Sequence, residues 1–279
     1  MRTIGVVGLG LIGGSLAKTV KLHTDWTVYG CDLNPQTMTQ AALLGAIDGE
    51  LDARTLPLCD EVLVALYPQA IIDWITGHAA AFKPGALVID CGGVKQVICE
   101  AVEPAAAGRP WHFIGGHPMA GREFSGFKYA KDDLFDHASM ILTPWGDEDP
   151  ALLQRARDLF MDLGFRRVQF TTPQVHDEMI AYTSQLAHIV SSAYVKCPLA
   201  SKHRGFSAGS FADMTRVARL SPEMWTELFF DNRSALLPEV EGLVERLAAY
   251  RDAMRDGDRD AMRALLLEGT RIKEQLEEN

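Results

Sequence analysis

A lone histidine sits among residues that leave it room. The stretch is Ile114-Gly115-Gly116-His117-Pro118-Met119-Ala120-Gly121-Arg122-Glu123. Two glycines make space for a ligand, and the proline fixes the exit of what reads as a short constrained loop after a strand, His112 to Gly115. An imidazole has the right proton affinity to act as a base toward a hydroxyl group near neutral pH. The other reading is a structural histidine that caps a turn.

A second set lies on a long helix that begins at Thr172-Pro173 and runs toward Lys196. Asp177, Ala181, Ser184, His188 and Ser191 are spaced 4, 3, 4 and 3 apart, so they share a face. That face is small and polar, while Met179, Ile180, Leu186, Ile189 and Val190 lie off it. A polar stripe on an otherwise apolar helix reads as the wall of a wet cleft or as a solvated outer face. A third set is Asp213-Met-Thr-Arg216-Val-Ala218, followed by Ser221-Pro-Glu-Met-Trp225. Arginine offers a planar, always charged fork for a carboxylate. Arg216 is that or a surface arginine, and Trp225 by default is core.

These side chains need a frame, and the N-terminus supplies its start. The apolar run Thr3 to Val7 leads into Gly8, Gly10 and Gly13, and a helix-forming run follows from Ser15. In strand–turn–helix order the first glycine permits the tight turn. The second lets the backbone approach a pyrophosphate, and the third lets helix and strand pack closely. The N–H groups at the helix start then face phosphate. A second strand ends at Asp32, about 20 residues past the loop, where a carboxylate accepts hydrogen bonds from a ribose diol. The expected ligand is therefore a dinucleotide, and NAD over NADP, because Asp32 repels a 2′-phosphate. Gly8, Gly10, Leu11, Ile12, Gly13, Asp32 and Tyr67 are the expected cofactor-binding residues. A nicotinamide gives the base reading of His117 its meaning, since an alcohol losing hydride must also lose a proton.

Short apolar strands alternate with helices as far as Thr143: Glu61 to Leu66, Ala86 to Asp90, His112 to Gly115 and Ser139 to Thr143. That pattern predicts a doubly wound, Rossmann-type parallel sheet covered on both faces. Its ligands bind beyond the carboxyl ends of the strands, where Asp32, Tyr67, Asp90 and Gly115 fall. The pattern changes near Pro144 to Pro150. After one last strand, Arg166 to Phe170, the chain reads as helical. The expected domains are 1–150 for the dinucleotide and 151–279 for an all-helical region that binds substrate and dimerises.

Composition narrows the classes. The 279 residues carry a net charge of -10, which argues against nucleic acid. An anionic substrate would have to be held by a few local cations. Five scattered cysteines show no metal-ligand spacing and point to reduced thiols in a cytosol-like compartment. No metal site is expected. The chain enters a strand at once, leaving no room for a signal peptide, and no apolar run approaches membrane-spanning length.

Together these stretches resemble the prephenate dehydrogenase family, the NAD(P)-dependent enzymes of tyrosine biosynthesis that include arogenate and cyclohexadienyl dehydrogenases. The likeness spans nearly the whole chain, in order: Gly8-Leu-Gly10-Leu11-Ile12-Gly13-Gly14-Ser15, Asp90-Cys-Gly-Gly-Val-Lys95, Gly116-His117-Pro-Met-Ala-Gly121 with Glu123, His176-Asp177 with Ser184-Gln-Leu-Ala-His188, Thr215-Arg216-Val-Ala218, and Pro222-Glu-Met-Trp225. The family substrate, prephenate, is a cyclohexadiene with a ring hydroxyl, a ring carboxylate and a pyruvyl side chain. The resemblance implies that His117 accepts the hydroxyl proton as hydride leaves, while loss of carbon dioxide makes the ring aromatic. It implies that Arg216 holds a substrate carboxylate and that His188, Ser184, Gln185 and Gly93 line the substrate site. Glu123 gates or orients the substrate, and Trp225 packs near its side chain. Gly93 stands where the family pattern has serine, and Gln185 and Ala187 where it has histidine and proline. Arogenate, with an amino-acid side chain, is therefore an alternative substrate. Other expectations are a β-hydroxyacid dehydrogenase or imine reductase, which lack the His-Pro-Met-Ala-Gly loop, and an NAD-binding regulatory protein that has lost catalysis.

Overall fold

The structure, a computed structural model, describes residues 2–122, 124–146 and 148–278. Eight strands form one sheet: β1 (Thr3–Val7), β2 (Thr27–Cys31), β3 (Gly49–Glu50), β4 (Glu61–Val64), β5 (Leu87–Asp90), β6 (His112–Pro118), β7 (Ser139–Thr143) and β8 (Arg167–Phe170). Their order is β3-β2-β1-β4-β5-β6-β7-β8. Neighbours are parallel except β6 and β7, which run antiparallel. The doubly wound sheet is thus as expected, with one antiparallel step.

Both faces are covered, because successive strand side chains point to opposite sides. Leu87 and Ile89 of β5 enter one core with Leu16, Ala17 and Val20 of α1 (Leu11–His23) and Leu152, Leu159 and Phe160 of α5 (Pro150–Asp162). Val88 enters the other core with Ile71 and Ile75 of α3 (Pro68–His78) and Ile98 and Val102 of α4 (Gln96–Ala106). A short helix α2 (Pro35–Leu43) starts at Asn34, whose side chain accepts from Gln36 N–H. Pro104 interrupts α4, and it falls in the helix's last turn.

The sheet runs on to Phe170. β8 pairs in parallel with β7, in register from Ser139 opposite Arg167 to Leu142 opposite Phe170. The helical part begins only after it. The long helix expected from Thr172 is present but not uniform. It is α6 (Pro173–Ile180), a π-helical segment over Ala181–Leu186, and α7 (Ala187–Tyr194). Thr172 caps its start by accepting from Val175 N–H. Two further helices follow, α8 (Gly209–Thr215) and α9 (Pro222–Asp231).

The chain divides into two compact units between Asn232 and Arg233. The second unit is a helical hairpin of α10 (Arg233–Asp256) and α11 (Arg259–Glu278). Gly257 turns the chain at φ +68°, and the Asp258 carboxylate accepts from Asp260 and Ala261 N–H at the start of α11. Its exposed side chains include Val244, Leu247, Met254, Leu266, Leu267, Ile272 and Leu276. Among the described residues no helix is long and apolar enough to cross a membrane.

Candidate active site

The glycine turn after β1 has the form its sequence implies. Gly8 adopts φ +80°, and a Cβ there would stand 2.5 Å from Ala65 O. At Gly13 a Cβ would meet Gly8 O at 2.0 Å, so α1 seats directly on the turn. At Gly10 it would meet nothing within 4 Å among the described residues. Gly10 also caps α1 with no side-chain hydrogen bond. An open, bare-backbone approach to a helix N-terminus suits a pyrophosphate. Leu11 and Ile12 form the half-buried first turn.

Asp32 stands over this turn. Its Oδ2 accepts from Leu9 N–H at 2.9 Å and its Oδ1 from Asn34 N–H at 2.8 Å. Each oxygen keeps a lone pair for a diol. Tyr67 caps α3 just past β4 and is 49% exposed. Cys31, beside Asp32, has its thiol pushed up to about 11, chiefly by burial. It is therefore a packing residue and no nucleophile.

His117 differs from its expected setting. It lies in β6, not on a loop, and pairs with Ile141 of β7. Gly116, which reads as a loop residue, continues the strand from Gly115, and both glycines lie in a crowded place. A Cβ at Gly115 would stand 2.3 Å from Thr143 Oγ1, and one at Gly116 2.5 Å from Asp90 O. The parallel pairing of β6 with β5 ends at Ile114, so His117 projects beyond the carboxyl end of β5, the edge where such sheets bind ligands.

Below it is a buried ion pair. Lys95 Nζ donates to the Asp90 carboxylate and, at 2.6 Å, to Gly116 O. Asp90 also accepts from Gly92 and Gly116 N–H. Both charged side chains are fully buried. The pair ties β5 and the turn into α4 to the residue preceding His117.

His117 Nδ1 lies 2.9 Å from His176 Nε2, and His176 Nδ1 lies 2.7 Å from Asp177 Oδ1. The Asp177 carboxylate also accepts from Lys95 and Gln96 N–H at the start of α4, at 2.8 and 2.9 Å. Burial holds the His117 imidazole well below its ordinary proton affinity, and the nearby Lys95 charge acts the same way. Burial also lowers His176, against the hydrogen bond that its Nδ1–H donates to Asp177. His117 is therefore neutral at pH 7, as a base must be.

A second group lies further along the same helix. His188 Nδ1–H donates to Ser184 O at 2.8 Å, which leaves Nε2 as an acceptor. Its ring lies against Trp225 of α9, tilted by 31° with centroids 4.0 Å apart. Burial lowers its proton affinity, and the charge of Arg216, the C-cap of α8, lowers it further. Arg216, His188 and Trp225 thus form one half-open cluster.

The structure departs from the remaining expectations. Gln185, expected to contact substrate, is 1% exposed. Its Nε2 donates to Leu228 O and its Oε1 accepts from Asn232 Nδ2, which also donates to Asp177 O. It is a buried strut between helices. The polar stripe is likewise largely interior. Asp177, Ala181 and Ser191 are buried, and Ser191 Oγ donates to Met214 O. The wider π turn breaks the 3.6-residue register on which the shared face depended. Gly93 lies beneath α9, where a Cβ would stand 3.3 Å from Leu228 Cδ2. Glu123 lies outside the described residues. Sequence reasoning gave no role to Lys95, Asn232 or His176. The His176-Asp177 pair at the start of the long helix was the available signal.

Comparison with known proteins adds the family. A model described as prephenate dehydrogenase, nucleotide-binding domain, matches residues 16–169, and one described as prephenate dehydrogenase, dimerization domain, matches residues 172–268. The cyclohexadienyl dehydrogenase of Zymomonas mobilis is 30% identical over 270 residues, covering 93% of this chain and 90% of that protein. The crystal structure of prephenate dehydrogenase from A. aeolicus, in complex with hydroxyphenyl propionate and NAD+, superposes with a TM-score of 0.86 at 28% identity, covering 100% of this chain and 99% of that one. Synechocystis arogenate dehydrogenase gives 0.82 at 27% identity, covering 99% and 100%. With a nucleotide-binding turn at one end of the sheet edge and a half-buried histidine further along it, the chain belongs to the prephenate dehydrogenase family.

Proposed function

We propose that the protein oxidises and decarboxylates prephenate to 4-hydroxyphenylpyruvate with NAD, in tyrosine biosynthesis. The observation that carries this reading is His117. It is a histidine kept neutral by burial, at the ligand edge of a sheet that begins with a dinucleotide turn. Gly8, Gly10, Leu11, Ile12 and Gly13 would hold the pyrophosphate side of NAD and Asp32 a ribose diol, with Tyr67 at the neighbouring strand end. When bound, NAD supplies the hydride acceptor. His117 Nε2 takes the proton of the ring hydroxyl. Arg216 pairs with a substrate carboxylate, supplying the local positive charge that a chain of net charge -10 needs for an anion. His188 Nε2 accepts from, and Ser184 lies beside, the bound substrate. Trp225 packs on its side chain and holds the His188 ring. Glu123 orients the substrate. Residues 1–150 chiefly bind the nucleotide, and 151–279 bind substrate and pair two copies of the chain through helices. The exposed apolar side chains of α10 and α11 support a homodimer.

Arogenate is the second reading. It is supported by the similarity to the Synechocystis enzyme and by the glycine at position 93. The test is NAD reduction with prephenate and arogenate side by side. Turnover of prephenate at higher kcat/KM supports the reading, faster turnover of arogenate replaces it with the second, and tight NAD binding without turnover of either overturns both.

A further inference from the structure

The geometry points to His176 and Asp177 as positioning residues that set the tautomer of His117 through a buried Asp177–His176–His117 chain of hydrogen bonds. The inference rests on His117 being the base. His176 and Asp177 are 1% and 3% exposed, so water does not compete for these bonds. A carboxylate only accepts, so the His176 Nδ1 facing Asp177 Oδ1 carries a hydrogen. In neutral His176 the lone pair is then on Nε2. That atom faces His117 Nδ1 at 2.9 Å, so His117 Nδ1 donates and the lone pair of His117 is on Nε2. The order of donors is fixed from the carboxylate outward. No side chain at position 93 shares the task, since it is glycine.

The surrounding charges agree with this order. Lys95 and Asp90 face the two rings from β5 and the turn into α4, and Asp177 faces them from α6. Burial, the largest effect, and the Lys95 charge disfavour a proton on His176, the Asp177 hydrogen bond and the Asp177 and Asp90 charges favour one, and the balance falls on the neutral side. A protonated His176 would donate from Nε2 to His117 and move the lone pair of His117 to the wrong nitrogen. The two N–H bonds from the start of α4 hold the Asp177 carboxylate in place. Once His117 has taken a proton at Nε2, its Nδ1–H still has the His176 acceptor. That acceptor stabilises the imidazolium.

The test uses the full-length protein labelled with ¹⁵N at histidine, with His117 assigned by its loss in His117→Asn. The wild-type spectrum near neutral pH is expected to show His117 protonated at Nδ1 and bare at Nε2. In His176→Phe this pattern is expected to be lost. There kcat should fall about 100-fold, the scale of a wrong-tautomer effect being up to about 10⁴, while KM for substrate and for NAD stays within about threefold. The acid limb of the kcat/KM profile should move to lower pH, because the imidazolium has lost its acceptor. His176→Gln, whose carbonyl can accept the same hydrogen, should recover at least about tenfold of kcat. A wild-type His117 protonated at Nε2 overturns the proposal, even if His176→Phe does not fold. So does a His176→Phe variant that keeps the tautomer, or loses kcat with no recovery in His176→Gln. A wild-type protein with the expected tautomer that turns over neither substrate supports the hydrogen-bond chain and overturns the functional reading alone.

Discussion

Replacing Lys95 with methionine should cost the protein a large part of its stability. Lys95 is fully buried and its ammonium serves two acceptors, the Asp90 carboxylate and Gly116 O. Methionine keeps most of the stem and removes the charge. What remains is a carboxylate with no solvent exposure, left with the Gly92 and Gly116 N–H groups alone. Stranding one partner of a buried ion pair costs about 3–5 kcal/mol. At roughly 2–4 °C per kcal/mol for a domain of this size, Tm should fall by about 6–20 °C. The double variant Lys95→Met/Asp90→Asn strands no charge and should recover at least about 2 kcal/mol, since replacing both partners is often close to neutral. Urea denaturation of the wild type, both single variants and the double variant measures the coupling, provided the m-values agree. A single variant that loses less than about 1 kcal/mol, or a double variant no more stable than the worse single one, would show that the pair does not hold the strand behind His117.

Other consequences follow from named groups. Arg216→Ala should raise KM for substrate about ten- to a hundredfold, since a hydrogen bond to a charged group is worth about 1.5–3 kcal/mol, and leave KM for NAD nearly unchanged; steady-state kinetics with each ligand varied checks this. Asp32→Ser should erode the preference for NAD over NADP, because it removes the charge that repels a 2′-phosphate; a wild-type enzyme that favours NADP would contradict the role of Asp32. His117, His176 and His188 all have lowered proton affinity in the fold. The unfolded chain therefore binds more protons than the native one below the ordinary histidine value of 6.5, and stability should fall as pH drops from there through the lower folded values. Denaturation midpoints at pH 7 and pH 5 measure the slope, which His117→Asn should reduce.

Much of the fold was legible because each local signal agreed with the next. Gly8, Gly10 and Gly13 needed a strand before them and a helix after, and Asp32 a second strand; all are present. The reading failed where tertiary contacts decide. Gly116-His117-Pro118 looks like a loop because glycine and proline usually break strands. Here the strand needs glycines because Thr143 and Asp90 crowd its backbone, and β6 changes from a parallel to an antiparallel neighbour at that point. Gln185 reads as a substrate-site residue only because it stands where the family pattern has histidine, and the stripe beside it rests on a count of 3.6 residues per turn. The π segment shifts that count, and Gln185 turns inward to Asn232. Lys95 and Asp90 were visible as residues, but their burial against each other depends on how β5, α4 and β6 pack, which spacing alone does not encode. His176 is adjacent to Asp177 in sequence, yet its partner His117 is 59 residues away.

The proposed function stands on His117 acting as the base. Its most direct measurement is the kcat of His117→Asn for NAD reduction with prephenate, beside the Kd for NAD of the same protein. Asparagine keeps hydrogen-bonding capacity and loses basicity. The expected result is a fall in kcat of about 10²–10⁴-fold, the usual share of a general base, with NAD affinity unchanged within about twofold. Near-normal turnover, with the variant folded and binding NAD, would contradict it.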